Sequence, residues 1–281
     1  MDVSIIVPFF NSEEYLERSM DALLSQRALT ERCEILMVDN NSTDRGPELV
    51  AQRSGVRLLH EPRQGVYAAR NRGVAEARGQ ILVFLDPDCV AAPAWLESLL
   101  ANVRRSGAKL VVGRKDPGGG GYALQLLGAY ENAKMQFVFG TRTPSLYSGD
   151  CATMAVRREV FDELGPFEEK VRGGDTLLAV AAAERFGCDA VSYEPAARVA
   201  HLEVMSLREA YGKMFIYGRS RRRNIGGAMQ RPLTSAQRAE LVRQAVAGEP
   251  NGILASAMLT ALLTGSVGAF RAGTLAGRWG R

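Results

Sequence analysis

An α/β fold with a mostly parallel sheet flanked by helices is what this sequence predicts, and three observations carry it. Short, wholly apolar runs recur through the first 113 residues, each followed by a stretch with helical spacing. Because the runs do not alternate apolar with polar, their strands should be buried on both faces. Several runs also end in polar clusters, at the strand ends where open parallel sheets hold their ligands. The run at 79–90 (GQILVFLDPDCV) organises the rest. Its five apolar residues lead straight into Asp86 and Asp88, separated by Pro87. In extended chain, residues two apart point the same way, which would bring both carboxylates to one spot. Pro87 removes a donor and discourages the sheet from continuing. Paired hard oxygen ligands there suit Mg2+ or Mn2+ shared with substrate phosphates. The plain alternative is an Asp-Pro-Asp turn that ends a strand.

In chain order, residues 3–7 form a first apolar strand stopped by Pro8. Ser12 is placed to cap a helix whose first turn carries Glu13 and Glu14, and Leu16, Met20, Leu23 and Leu24 share one face of it. Residues 34–38 are a second strand ending in a polar cluster at 39–44, and Pro47 suits the first turn of the next helix. A third strand spans 56–60 and a helix 65–78. After the strand at 81–85, Pro93 opens a helix through Leu100, and 109–113 is a further strand. The turn after the first strand, PFFNSEE, lacks the glycines of a dinucleotide fold. The glycines at 118–121 read as a mobile loop rather than a phosphate cradle.

Composition is that of a globular protein: 281 residues, 46% hydrophobic, 23% charged. That length suits one large α/β domain with an appendage. The net charge of +4 is mild, and no zinc-finger, RRM or KH signature is present, so nucleic acid is not an expected partner. Cys33, Cys89, Cys151 and Cys188 are scattered without CxxC or histidine spacing, as for buried thiols in a reducing compartment. The first strand starts at once and leaves no room for a signal peptide, so a cytoplasmic location is expected.

Residues 3–11 (VSIIVPFFN), 38–44 (VDNNSTD) and 65–89 (GVYAARNRGVAEARGQILVFLDPDC), in that order and spacing, closely resemble family 2 glycosyltransferases. The resemblance covers about 3–201 and implies the GT-A fold and an inverting transfer from a nucleotide-diphosphate sugar. It implies a catalytic domain over 1–205, with a nucleotide half to about 115 and an acceptor half from 116, followed by a helical region at 206–281. Pro8, Phe9 and Asn11 would line the nucleotide cleft, Asp39 would contact the base, Gly65 would let backbone approach, and Arg70 would offer a planar fork to base or phosphate. Asp86 would hold the ribose or support the metal site. Asp88 would ligate Mn2+ or Mg2+, which neutralises the departing diphosphate.

Residues 146–158 and 161–167 resemble the family's second half, making Gly149 and Asp150 candidates for the sugar pocket. The acidic pair usual after them is Gly174-Asp175 here. Asp175 is therefore expected to be the general base, with its orientation in question because the glutamate is missing. As a plainer alternative, Asp175 caps the helix that follows. His201, after a short strand at 197–200, would reach the metal or diphosphate, or be structural.

Ser206 and Glu209 form a capping box that opens a helix running into the basic run 218–224. Arg219 and Arg221 there would clamp a diphosphate or a phosphorylated lipid acceptor, or simply face solvent. Residues 234–248 read as another helix. Residues 253–270 carry no charge and are at the lower limit for a membrane span, as a buried helix, a homodimer helix or an interfacial anchor. Membrane-surface attachment at the cytoplasmic face of the inner membrane is the favoured of these, since nearby arginines suit anionic headgroups. The acceptor would then be a growing glycan, lipid-linked at the inner membrane face, and single sugar additions rather than polymer extrusion are expected, because the QxxRW pattern of processive synthases is absent around Trp95 and Trp279. Two rivals stand beside this reading: a sugar-phosphate nucleotidylyltransferase, and a catalytically inactive sugar-nucleotide-binding scaffold.

Overall fold

A computed structural model describes residues 2–28, 32–169, 172–220 and 232–279. The described strands are β1 (Val3–Phe9), β2 (Cys33–Asp39), β3 (Arg57–His60), β4 (Ile81–Leu85), β5 (Cys89–Ala91), β6 (Leu110–Pro117), β7 (Thr153–Arg157) and β8 (Val191–His201). They form one sheet in the order β3-β2-β1-β4-β7-β6-β8-β5. The first four in that order are mutually parallel, joined by α1 (Glu13–Leu24), α2 (Gly46–Ala51) and α3 (Val66–Glu76). Beyond β4 the sheet is mixed: β7 runs antiparallel between β4 and β6, β8 lies parallel to β6, and β5 closes the edge antiparallel to β8. The expected strand at 109–113 therefore does not extend the parallel half directly. A strand from the second half separates it from β4.

Strand period explains why the runs are apolar throughout. Ile5, Val7 and Phe9 of β1 enter a core with Leu16, Trp95 and Leu99, on the side of α1 and α4 (Trp95–Ser106). Ile6, between them, enters the opposite core with Leu36, Phe84 and Phe167. That second core is covered by α3, α6 (Arg158–Leu164) and α7 (Gly174–Phe186). A third cluster joins α5 (Tyr122–Gly140), α9 (Ser235–Ala245) and α10 (Gly252–Trp279) through Leu126, Tyr130, Leu241, Leu259 and Leu262.

Several local expectations change. β1 continues through Pro8, which pairs with Val38, because pairing with β4 has already ended at Ile6 and the missing N–H falls beyond that ladder. Ser12 precedes α1 but does not cap it with its hydroxyl, which donates to Phe10 O. Asp44 Oδ2 instead accepts from Glu13 N at 2.8 Å, tying the loops after β1 and β2 together. The glycine loop is fastened to the end of β8: Gly118 N donates to His201 O and Gly119 N to Val204 O. α5 is not foreseen by the sequence reading, and β8 is eleven residues long rather than four. From α8 (Leu207–Arg219) on, the described elements are all helices. Within α10, Gly252–Gly277 is long and apolar enough to cross a membrane by length and composition, and only 17% of its most apolar window is buried.

Candidate active site

A cleft of about 710 Å3 opens where β1 and β4 end, walled by the loops after them, by α3 and by the start of α7. Pro8, Phe9 and Asn11 line it. Asn11 has a positive φ of 46° and its Oδ1 accepts from Thr43 N, so the first loop is braced by the second.

Residues 86–88 form a turn, closed by Cys89 N donating to Asp86 O at 3.1 Å, and not an extended segment. The two carboxylates consequently part. Asp86 Oδ1 accepts from Arg70 at 2.6 Å, while Asp88 Oδ2 lies 2.8 Å from His201 Nε2. The turn feeds β5, whose pairing of Cys89 with His201 sets Asp88 beside the histidine. Burial alone would raise the Asp88 carboxyl, but the contact with His201 brings it below the usual carboxylate range. Asp88, Cys89 and His201 offer ligand atoms within 4.8 Å of one another. The fold thus gives one cysteine a histidine neighbour that sequence spacing hides. Burial pushes the Cys89 thiol well above its ordinary range.

Arg70 is buried, with its guanidinium 5.2 Å over the Tyr67 ring. Its Nε has no hydrogen-bond partner in the described structure, although it belongs to a residue lining the cleft. A buried unsatisfied donor at a cleft wall is placed to meet a ligand acceptor.

Asp39 does not line this cavity; its neighbour Asn40 does. The Asp39 oxygens are engaged by Ser42 N and His60 Nδ1, both at 2.9 Å. Asn40 Oδ1 accepts from Gly65 N, and Gly65 adopts φ 142°, a conformation that favours glycine. Gly65 therefore turns the chain into α3 and does not itself line the cleft.

On the opposite wall, Gly149 approaches α7 so closely that a Cβ there would lie 2.1 Å from Asp175 O. Asp150 pairs with Lys115 Nζ at 2.6 Å. Burial would raise this carboxyl too, and the ammonium beside it holds it below the usual range. Asp175 sits in the first turn of α7, after Gly173 as N-cap. Its Oδ1 accepts from Tyr67 Oη at 3.1 Å and Thr176 N at 2.9 Å, and its Oδ2 from Cys151 N at 3.3 Å. Gly174 is explained by the same neighbour: a Cβ there would lie 3.1 Å from Tyr67 Cζ. The tyrosine ring fills the space that a side chain at 174 would need, and its hydroxyl orients Asp175. Burial raises the Asp175 carboxyl above its ordinary value, only partly opposed by Arg70.

Arg219 is exposed at the end of α8 and does not line the cleft, and Arg221 lies outside the described residues. Among the described residues, Arg172 lines the cleft, stacked 4.7 Å over Tyr217 and donating to Ser220 Oγ. Sequence reasoning also missed Tyr67, Asn40, Lys115 and Lys213. Tyr67 was within a recognised motif, and Lys115 lies in the polar end of a strand; nothing in the sequence marks Arg172 or Lys213.

The family model described as Glycosyl transferase family 2 matches residues 4–165. The chain belongs to glycosyl transferase family 2. It is a glycosyltransferase, which sets the nucleotidylyltransferase reading aside. Over 229 residues it is 29% identical to glycosyltransferase AglE of Haloferax volcanii, covering 76% of this chain and 74% of that protein. Its fold is similar to mannosyltransferase PcManGT of Pyrobaculum calidifontis, solved with GDP-Man and Mn2+: TM-score 0.64, 17% identity, 99% of this chain and 87% of that one. Glucosyl-3-phosphoglycerate synthase of Mycobacterium tuberculosis, solved with Mn2+, UDP-glucose and phosphoglyceric acid, is similar over 71% of each chain at TM-score 0.53 and 24% identity. At these identities the two structures bear on fold, and the GT-A architecture is shared.

Proposed function

We propose that this family 2 glycosyltransferase moves a sugar, with inversion, from a nucleotide-diphosphate donor to a hydroxyl of a glycan or lipid-linked acceptor, one sugar at a time. The observation that carries the reading is Asp175, held at the cleft by Tyr67, Cys151 and Thr176 with its basicity raised by burial. A carboxylate so placed takes the acceptor hydroxyl's proton on Oδ2, the oxygen with the single and longer contact, as that hydroxyl attacks the anomeric carbon. Single displacement with one base inverts the configuration. Tyr67 keeps the base in place, and Gly149 and Asp150 border the sugar.

Asp88 and His201 fit a divalent cation. Their oxygen and nitrogen lie 2.8 Å apart, near the ~3 Å between adjacent ligands of an octahedral ion with bonds of about 2.1 Å. A mixed oxygen and imidazole set favours Mn2+ over Mg2+. When bound, the ion stabilises the negative charge of the leaving diphosphate. Arg70, with its unsatisfied Nε, and Arg172 supply fixed positive charge on the two walls.

Relatives of similar fold bind GDP-Man or UDP-glucose, so the donor base is a matter for titration. Thermal-shift titration with GDP-, UDP- and dTDP-sugars, with and without Mn2+, should give a metal-dependent rise for one of them. In the decisive experiment, Asp175→Asn should retain the donor-induced shift while losing transfer. Full activity in that variant would remove Asp175 as base. A donor shift without turnover on any acceptor would favour the scaffold reading.

A further inference from the structure

We propose that Lys213 is a built-in cation for the Asp88–His201 pair, seated against the donors a divalent ion would use and displaced when one binds. This rests on the metal reading above. Lys213 Nζ lies 2.9 Å from His201 Nε2 and 2.5 Å from Glu203 Oε2. The same ring nitrogen lies 2.8 Å from Asp88 Oδ2.

A ring nitrogen offers either one proton or one lone pair. If Nε2 carried the proton and donated to Asp88, the ammonium would face an N–H with nothing to accept its own. With the lone pair on Nε2, the ring accepts from the ammonium, whose charge also acts on the Asp88 carboxylate next to it. That arrangement is the one a metal ion creates. The ammonium has three N–H groups, of which Glu203 and His201 take two.

Lys213 reaches this position from the middle of α8, whose start is capped by Ser206 accepting from Glu209 N. The helix itself is fixed, because Gly218 and Gly273 bring α8 and α10 into backbone contact: a Cβ at Gly218 would lie 1.9 Å from Phe270 O, and one at Gly273 1.9 Å from Phe215 O. The four-carbon stem of Lys213 is not so held. Displacement therefore needs only a change of rotamer, and Glu203, itself partly exposed at the cleft, can accompany the ammonium. The consequence is that Mn2+ must replace a resident charge before it binds, which weakens its affinity for the protein alone.

The test is the Mn2+ dissociation constant of the full chain, from titration calorimetry or the free-Mn2+ EPR signal. Lys213→Met and Lys213→Gln should each bind Mn2+ on the order of tenfold more tightly than the parent. Arg172→Met, which removes a cleft charge without touching His201, should stay within about twofold. Unchanged or weaker binding in the Lys213 variants overturns the proposal, and so does an equal gain in Arg172→Met. Asp88→Asn reports on the metal reading separately: if it binds Mn2+ as well as the parent, that reading fails whatever the Lys213 variants do. A measurement on the unaltered chain needs no variant. Acylation of Lys213 by an amine reagent, followed by peptide mass spectrometry, should increase on adding Mn2+ relative to the other lysines. No increase overturns the displacement.

Discussion

Asp175 carries its charge in a place that disfavours it. Its carboxyl is raised by burial, so the folded chain holds that proton more tightly than the unfolded chain does. The resulting stabilisation is complete below the unfolded value and is lost as pH rises through the folded one, which leaves the ionised group a net cost at pH 7. Asp175→Asn is therefore expected to raise the thermal midpoint at pH 7, with the gain shrinking as pH falls into the carboxylate range. Equal midpoints across pH would contradict the burial. Tyr67→Phe removes a donor to the charged form, so the acid limb of kcat should move to higher pH and kcat should fall roughly tenfold, with donor binding retained. A pH–rate profile identical to the parent's would show that the hydroxyl does not orient the base. At this scale the sequence was informative about identity more than geometry. Asp86, Asp88 and Asp175 are legible because their spacing resembles a family pattern. Their separate partners are not, since His201 is brought in by the pairing of β5 with β8, and Arg70 and Tyr67 come from α3.

Elements were legible where an apolar run had clear ends. β4 has the expected bounds because Gly79 and Asp86 punctuate it, whereas α5 follows a run of glycines and its apolar residues show little sidedness. α8 and α10 depend on each other. Two glycines, one on each helix, let the backbones meet, and a methyl group at either has no room without a shift. Gly218→Ala and Gly273→Ala should each destabilise the fold by about 1–3 kcal/mol, measured by urea unfolding. Because α8 carries Tyr217 to the cleft and Lys213 to His201, transfer should fall more steeply than stability alone accounts for. Wild-type unfolding in both variants would mean the helices can separate freely.

At the scale of the whole molecule, the sheet collects the ends of β1 and β4 and the return strand β8 around one cleft, while α10 does two jobs at once. Ala255, Leu259 and Leu262 are buried in the cluster with α5 and α9. Ile253, Leu254, Val267 and Leu275 on the same helix are exposed, at 86%, 65%, 43% and 55%. A soluble helix ordinarily turns polar residues outward, and this one presents a second apolar surface. We propose that this surface, with Arg271 beside it and Arg219 where α8 meets α10, suits an anionic bilayer surface and would bring a lipid-linked acceptor to the cleft. The chain should co-sediment with vesicles containing phosphatidylglycerol, and binding should weaken with salt if the arginines contribute. Ile253→Glu together with Leu254→Glu and Leu275→Glu should abolish sedimentation without lowering the thermal midpoint, since these side chains touch water and not the core. Loss of the midpoint along with binding would instead place them in the packing of α10. Undiminished sedimentation would move the contact elsewhere, leaving the exposed face of α10 for a second copy of the chain, which a concentration-dependent mass in sedimentation velocity would reveal.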